Sequence, residues 1–166
     1  MERREDDPTS LRDLLCGSVD ESHVGERVSV CGWVARRREH GEHLAFLDVR
    51  DRSGIVQAVV EGTVDVRSEY VVRVTGTVTP RPEGTVNERL ATGAVELSDC
   101  QVEVLALAEA PPFQLDERVD VDEAVRLRFR YLDIRREPMQ RNLRLRAKVN
   151  GALRQAMDAQ GFCEVE

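Results

Sequence analysis

Residues 31–57 restrict the possible folds more tightly than any other stretch of this chain. Val28, Val30, Gly32 and Val34 alternate with Ser29, Cys31 and Trp33, the period-two pattern of a strand with one face buried. That strand runs into an expected loop of three arginines, Arg36-Arg37-Arg38. Leu44 to Val49 reads as a second strand carrying Phe46. Asp51-Arg52-Ser53-Gly54 reads as a hairpin turn, and Ile55 to Val60 as a third strand carrying Gln57. Tyr70 to Val78 and Val95 to Leu107 continue the pattern, separated by a turn-rich loop from Pro80 to Gly93. Gly32 and Gly76 fall inside strands, where glycine marks a bend or bulge that curls a sheet. Five antiparallel strands of this kind predict a small closed barrel. An OB-fold is the natural candidate, with an SH3-like barrel or a short sandwich as alternatives.

The same stretch carries a chemistry. Guanidinium groups suit phosphate, an isolated ring suits a base face, and an amide suits a base edge, which together are the parts of a single-strand nucleic-acid site. The net charge of −7 argues the other way until it is divided. Residues 1–123 hold 14 basic and 26 acidic side chains, net −12, whereas 124–166 hold 10 basic and 5 acidic, net +5. A focused arginine patch on an acidic domain weakens non-specific binding and leaves specific contact open. With only seven aromatic residues, Val and Leu must fill the core. No apolar run approaches the roughly 20 residues of a membrane span and Met1 to Asp7 lacks a signal core, so a cytoplasmic location without membrane contact is expected. Residues 1–8 are expected to be disordered.

The texture changes after Ala110-Pro111-Pro112. Leu11 to Val24 allows one or two helical turns, and Asp122 to Tyr131 reads as a helix with acids first and arginines last. Pro138 suits the first position of a further helix, in which Leu143, Ala147, Val149, Leu153, Ala156 and Met157 form an apolar stripe that ends at Gly161. Phe162 to Glu166 reads as the start of a strand. A lone helix and half a strand cannot bury such a stripe, so the last 30 or so residues are expected to open a larger domain. The expected fold is therefore mainly β: a five-stranded OB-fold barrel in 1–110, a hinge in 111–137, and in 138–166 an isolated amphipathic helix from a truncated α/β domain.

Cys31-Gly32-Trp33-Val34-x-Arg36-Arg37-Arg38-x-x-Gly41 and Phe46-Leu47-Asp48-Val49-Arg50-Asp51-Arg52-x-Gly54-Ile55-Val56-Gln57 resemble the anticodon-binding domain of bacterial-type aspartyl-tRNA synthetases. Ala91-Thr92-Gly93-x-Val95-Glu96, Arg130-Tyr131-Leu132-Asp133-Ile134-Arg135-Arg136 and Gly161-Phe162-x-Glu164-Val165-Glu166 match the same family in order. The lysyl and asparaginyl branches share the barrel, but the Trp-Val-x-Arg-Arg-Arg stretch favours the aspartyl one. The resemblance implies that Phe46 stacks on the middle anticodon base, a uridine, that Gln57 bonds its edge, and that Arg38 binds nearby. It implies a contact from Glu96 to the first anticodon base, as an acceptor for guanine N–H groups. Arg36, Arg81 and Asn87 are expected as further backbone or base contacts. The segment from Met139 resembles class II motif 1, which implies a homodimer interface at Leu143, Ala147, Leu153 and Phe162.

The partner so implied is tRNA-Asp, and the parent ligase would attach aspartate to it using ATP and Mg²⁺. No cofactor is expected in this chain, which by the resemblance lacks motifs 2 and 3 and is expected to be inactive alone, either cut from a longer protein or a natural fragment of a longer reading frame. Two departures stand out. The loop after Gly41 is one residue longer than usual, at Glu42 and His43. Between the third and fourth strands, where the family carries a helix, only Glu61 to Glu69 is present, which predicts a more open end to the barrel. His40 and His43 have no third ligand for a metal, and cysteines at 16, 31, 100 and 163 form no C-x-x-C pair, so buried reduced thiols are expected. A free-standing OB-fold nucleic-acid binder and a structural dimerisation piece are the competing functional readings.

Overall fold

The computed structural model describes residues 11–41, 43–62, 64–115 and 120–165. The expectations for residues 1–8, Glu42 and Glu166 lie outside these. The chain divides into two compact units, one ending at Ala110 and the other beginning at Pro111.

The first unit is a closed barrel of five strands: β1 (Arg27–His40), β2 (Leu44–Arg50), β3 (Ile55–Glu61), β4 (Val71–Pro80) and β5 (Val95–Ala106). The order around it is β1-β2-β3-β5-β4, antiparallel at every joint except the parallel β3–β5 pair. This is the OB-fold expected from the sequence. Every second residue points inward, so Val30, Val34, Leu47, Val49, Val56, Val72, Val74, Val78 and Leu97 are sealed in an aliphatic core. The two strand glycines do what their positions predict. A Cβ on Gly32 would stand 2.5 Å from the Arg50 carbonyl oxygen, and one on Gly76 would stand 2.7 Å from Cys100 Sγ. Ladder registers shift between Val34 and Arg36 and between Thr75 and Thr77, beside those same glycines, and there the sheet turns.

Two expectations need correction in this unit. Arg36-Arg37-Arg38 is not a loop but the outer half of β1, paired with β2 as far as His40 and Leu44. The hairpin ladder satisfies its backbone, and Arg36 and Arg38 stay largely exposed. The segment from Leu11 to Val24 forms two short helical turns as expected, both 3-10, Cys16–Ser18 and Glu21–His23. The β3–β4 connector does not leave the barrel open: Val66 is fully buried in the core, with Val64 and Tyr70 packed against it.

The first 3-10 turn is tied to the β2–β3 turn. The Cys16 and Gly17 amides donate to Asp51 Oδ2 (3.0 Å) and Ser53 Oγ (2.7 Å). Burial pushes the Asp51 carboxyl upward, but the Ser53 hydroxyl and the Cys16, Ser53 and Gly54 amides outweigh it and hold it below the ordinary range. Burial pushes the Cys16 thiol far up, and that of Cys100 to about 12, which keeps both as protonated packing groups. All four cysteines are free.

The second unit packs Phe113, Leu115 and Leu132 into a small cluster with Val121 and Phe129. The single helix expected near 122–131 is two: α1 (Glu123–Arg128), capped by Asp122, and α2 (Arg130–Asp133). They are separated at Phe129, whose φ of −109° and ψ of 48° break the helix. α3 (Glu137–Asp158) begins one residue earlier than expected, which puts Pro138 at its second position. Gly161, at φ +81°, closes it: its amide bonds Asp158 O (2.9 Å) while that of Phe162 reaches back to Met157 O (3.1 Å), a Schellman pair. The strand expected from Phe162 is absent among the described residues, which offer that segment no ladder partner. None of the α3 side chains is buried. No helix among the described residues is long and apolar enough to cross a membrane.

Candidate nucleic-acid interface

Cross-strand register assembles the site. Arg36 lies opposite Asp48, which lies opposite Gln57, and Arg38 lies opposite Phe46, which lies opposite Val59. Directly paired residues share a face, so these side chains occupy the outer wall while Ala45, Leu47 and Val49 fill the inside. On β5, Val95 and Leu97 point inward and Glu96 points to the same outer wall, next to Gln57 through the parallel β3–β5 pairing.

The side chains form a connected set. The Arg38 Nη2 group donates to Asp48 Oδ1 and to Gln57 Oε1, both at 2.9 Å. The Gln57 Nε2 group donates to Glu96 Oε2 at 2.7 Å. Phe46 is half-buried with the Arg38 guanidinium carbon 5.7 Å from its ring centroid, and the His40 ring meets it edge-on at 6.2 Å. The depth is graded. Gln57 and Glu96 are 7% and 9% exposed, whereas the Arg38 side chain is 43% exposed. A ring on an outer wall beside a solvent-facing cation, with a fixed amide beneath, offers a stacking platform and a hydrogen-bonding edge at one place.

Four of the predicted residues thus meet: Arg38, Phe46, Gln57 and Glu96. Arg36 stands on the same face. Arg81 and Asn87 instead shape the β4–β5 loop. Arg81 Nε donates to Val95 O (3.1 Å), the Asn87 amide donates to Gly93 O (3.0 Å), and Asn87 Oδ1 accepts the Arg89 amide (3.2 Å). A Cβ on Gly93 would fall 1.9 Å from Asn87 O, so that loop path requires glycine. Thr92 Oγ1 ties the loop to Ile55 O at 2.6 Å. Asp48 escaped the sequence reading, although its signal was present: the alternation across the whole of β2 puts Leu44, Phe46, Asp48 and Arg50 on one side. Among the described residues no group of three or more His, Cys, Asp or Glu side chains is placed to hold a metal ion.

In the second unit the Arg130-to-Arg136 signature knots around Leu132, Asp133 and Arg136, which are buried, while Arg130 and Tyr131 face outward. Asp133 is fully buried, bonded by Arg130, with Arg126 and Arg136 guanidinium nitrogens each 3.9 Å from it. Gln140 Nε2 then closes on Ile134 O at 2.6 Å, fixing the start of α3. The residues expected at a dimer interface, Leu143, Ala147, Leu153 and Phe162, are all exposed.

Comparison with known proteins bears on both units. Residues 28–106 match the family described as an OB-fold nucleic acid binding domain. Residues 122–166 match the tRNA synthetases of class II, the D, K and N group. The chain is 46% identical over 165 residues to the aspartate–tRNA(Asp/Asn) ligase of Thermodesulfovibrio yellowstonii, covering 94% of this chain and 28% of that protein. It is 50% identical over 159 residues to the same ligase of Heliobacterium modesticaldum, covering 90% of this chain and 26% of that one. The chain therefore spans little more than a quarter of the curated relatives it matches. Among solved structures, asparaginyl-tRNA synthetase from Pyrococcus horikoshii complexed with asparaginyl-adenylate is similar at a TM-score of 0.75 and 27% identity, covering 92% of this chain and 36% of that one. The aspartyl-tRNA synthetase of Entamoeba histolytica, at 21% identity and a TM-score of 0.77 over 89% of this chain and 37% of that one, shares the fold.

Proposed function

We infer the function from one premise: the chain belongs to the bacterial-type aspartyl-tRNA synthetase family, and carries its anticodon-binding OB domain followed by the start of its class II catalytic domain. The barrel wall reads the anticodon of tRNA-Asp. Phe46 stacks on the middle base, Gln57 bonds that base's edge, and Arg38 steers the strand. Glu96 accepts N–H groups from the first base. Arg36, on the same wall, contacts phosphate, while Arg81 and Asn87 contribute from the β4–β5 loop. The observation that carries this reading is the placement of the Phe46 ring on the outer wall, 5.7 Å from Arg38 and on the same face as Gln57.

The whole ligase would join aspartate to tRNA-Asp with ATP and Mg²⁺ in the cytoplasm. Nothing in the described residues is assigned to that nucleotide chemistry. Residues 111–137 serve as the connector, and the apolar side of α3 (Leu143, Ala147 and Leu153), with Phe162 beyond it, forms part of a homodimer contact.

The test is titration of the chain with a tRNA-Asp anticodon stem-loop at several salt concentrations. Binding weakens as salt rises, because phosphate contacts release counterions. Phe46→Ala loses about 1–3 kcal/mol of binding, the worth of one base stack. Gln57→Ala weakens binding comparably, and Arg38→Ala also flattens the salt dependence. Phe46→Ala binding like the parent chain overturns the stacking assignment.

A further inference from the structure

The Gln57 amide is engaged at both of its atoms. Arginine can only donate and an ionised carboxylate can only accept, so the two partners dictate which way round the amide lies. Its Oε1 faces Arg38 Nη2 at 2.9 Å and its Nε2 faces Glu96 Oε2 at 2.7 Å. Turning the amide over would set N–H against the guanidinium and a carbonyl oxygen against the carboxylate, two repulsions in place of two charge-assisted bonds. The Glu96 bond is the deeper of the two, since both of its residues are under a tenth exposed while Arg38 faces solvent. A charge-assisted bond sheltered from water is the stronger constraint.

An amide held this way has one lone pair on Oε1 and one N–H on Nε2 left to offer, in fixed order. That order fits a base edge with a donor N–H beside an acceptor carbonyl, the imide edge of uracil. Presented by the same face, cytosine offers the reverse order, a ring-nitrogen acceptor beside an amine donor, and fits only the overturned amide. Guanine shares the imide order, so uracil against cytosine is the comparison of equal size that isolates the effect.

We propose that Glu96 is a positioning residue that locks the orientation of the Gln57 amide, so that the barrel selects an unpaired base with an imide edge over one with an amidine edge. The proposal rests on the reading of Gln57 as the base-edge contact. It is separate from any contact Glu96 makes to a neighbouring base.

The experiment titrates the 166-residue chain with two stem-loops that differ only in uridine or cytidine at the middle anticodon position. Every contribution from the first base cancels in the ratio of the two affinities. The parent chain prefers uridine by about tenfold or more, the worth of one bidentate base contact. Gln57→Met removes that preference. Glu96→Gln, which keeps shape but can donate as well as accept, brings the preference within about threefold of unity while leaving thermal unfolding of the chain in place. In the unaltered chain, the Gln57 side-chain amide protons exchange with solvent more slowly than those of exposed Gln101. A parent preference retained in full by Glu96→Gln, or Gln57 protons exchanging as fast as those of Gln101, overturns the lock alone. A parent chain without preference for uridine overturns the base-edge reading on which the lock depends.

Discussion

The barrel wall and helix α3 treat their side chains in opposite ways. The barrel buries every inward residue from Val28 to Leu97 and then builds a polar set on its outside, in which Asp48, Arg38, Gln57 and Glu96 hold one another. Helix α3 also carries apolar residues, yet Leu145, Val149, Leu153 and Met157 all remain exposed. The difference shows where this chain's own contacts define a conformation. On the wall, the polar side chains are oriented by one another with no ligand present, and preorganisation of that kind lowers the ordering cost of binding. On the helix, the start is fixed by the Gln140 bond to Ile134 O and the end by the Gly161 and Phe162 amides, and none of its side chains is buried within the described residues.

That contrast predicts a steep gradient of mutational cost. Leu47→Ala, at the sealed centre of the barrel, is expected to cost about 2–5 kcal/mol in urea unfolding. Leu153→Ala, 60% exposed on α3, stays within about 0.5 kcal/mol of the parent. Equal losses at the two positions would erase the distinction. The next largest effect is expected at Gly32, where an added methyl meets the Arg50 carbonyl oxygen and Val49 Cγ1: Gly32→Ala costs about 1–3 kcal/mol in the same measurement. A smaller loss than at Gly32 comes from Asp51. Its carboxyl is held below the ordinary range when folded, so its contribution is complete above the unfolded value of about 4 and is lost as pH falls through the folded value. Asp51→Asn should therefore lower stability at neutral pH and give a shallower decline below about pH 5 than the parent, as read by thermal unfolding at a series of pH values.

The barrel was legible because alternation writes inside and outside directly into the chain, and because Gly32 and Gly76 mark the bends. Except at the far end of β1, strand ends within two residues of those observed follow from turn residues such as Asp51-Arg52-Ser53-Gly54. The arginine run was misread as a loop because three charges in a row resemble a solvated connection, yet a hairpin arm needs only its backbone paired. Phe46 could be placed outside only by weighing all seven residues of β2 together. Val66 illustrates a limit of another kind: a connector too short for a helix can still plug a barrel with one side chain, and nothing local in the sequence announces it. The bonding of Gln57 to both Arg38 and Glu96 joins three strands that are far apart in sequence, so only the fold reveals it.

The most direct test of the central claim follows the Phe46 ring protons by NMR as the anticodon stem-loop is added, with the paired stem lacking its loop as the control. Stacking of a base predicts a marked upfield shift of the Phe46 ring signals, with the Gln57 side-chain amide moving in step, for the stem-loop and not for the stem. Ring signals that stay fixed while residues 126–148 respond would contradict it, and would move tRNA contact from the barrel wall to the basic helices.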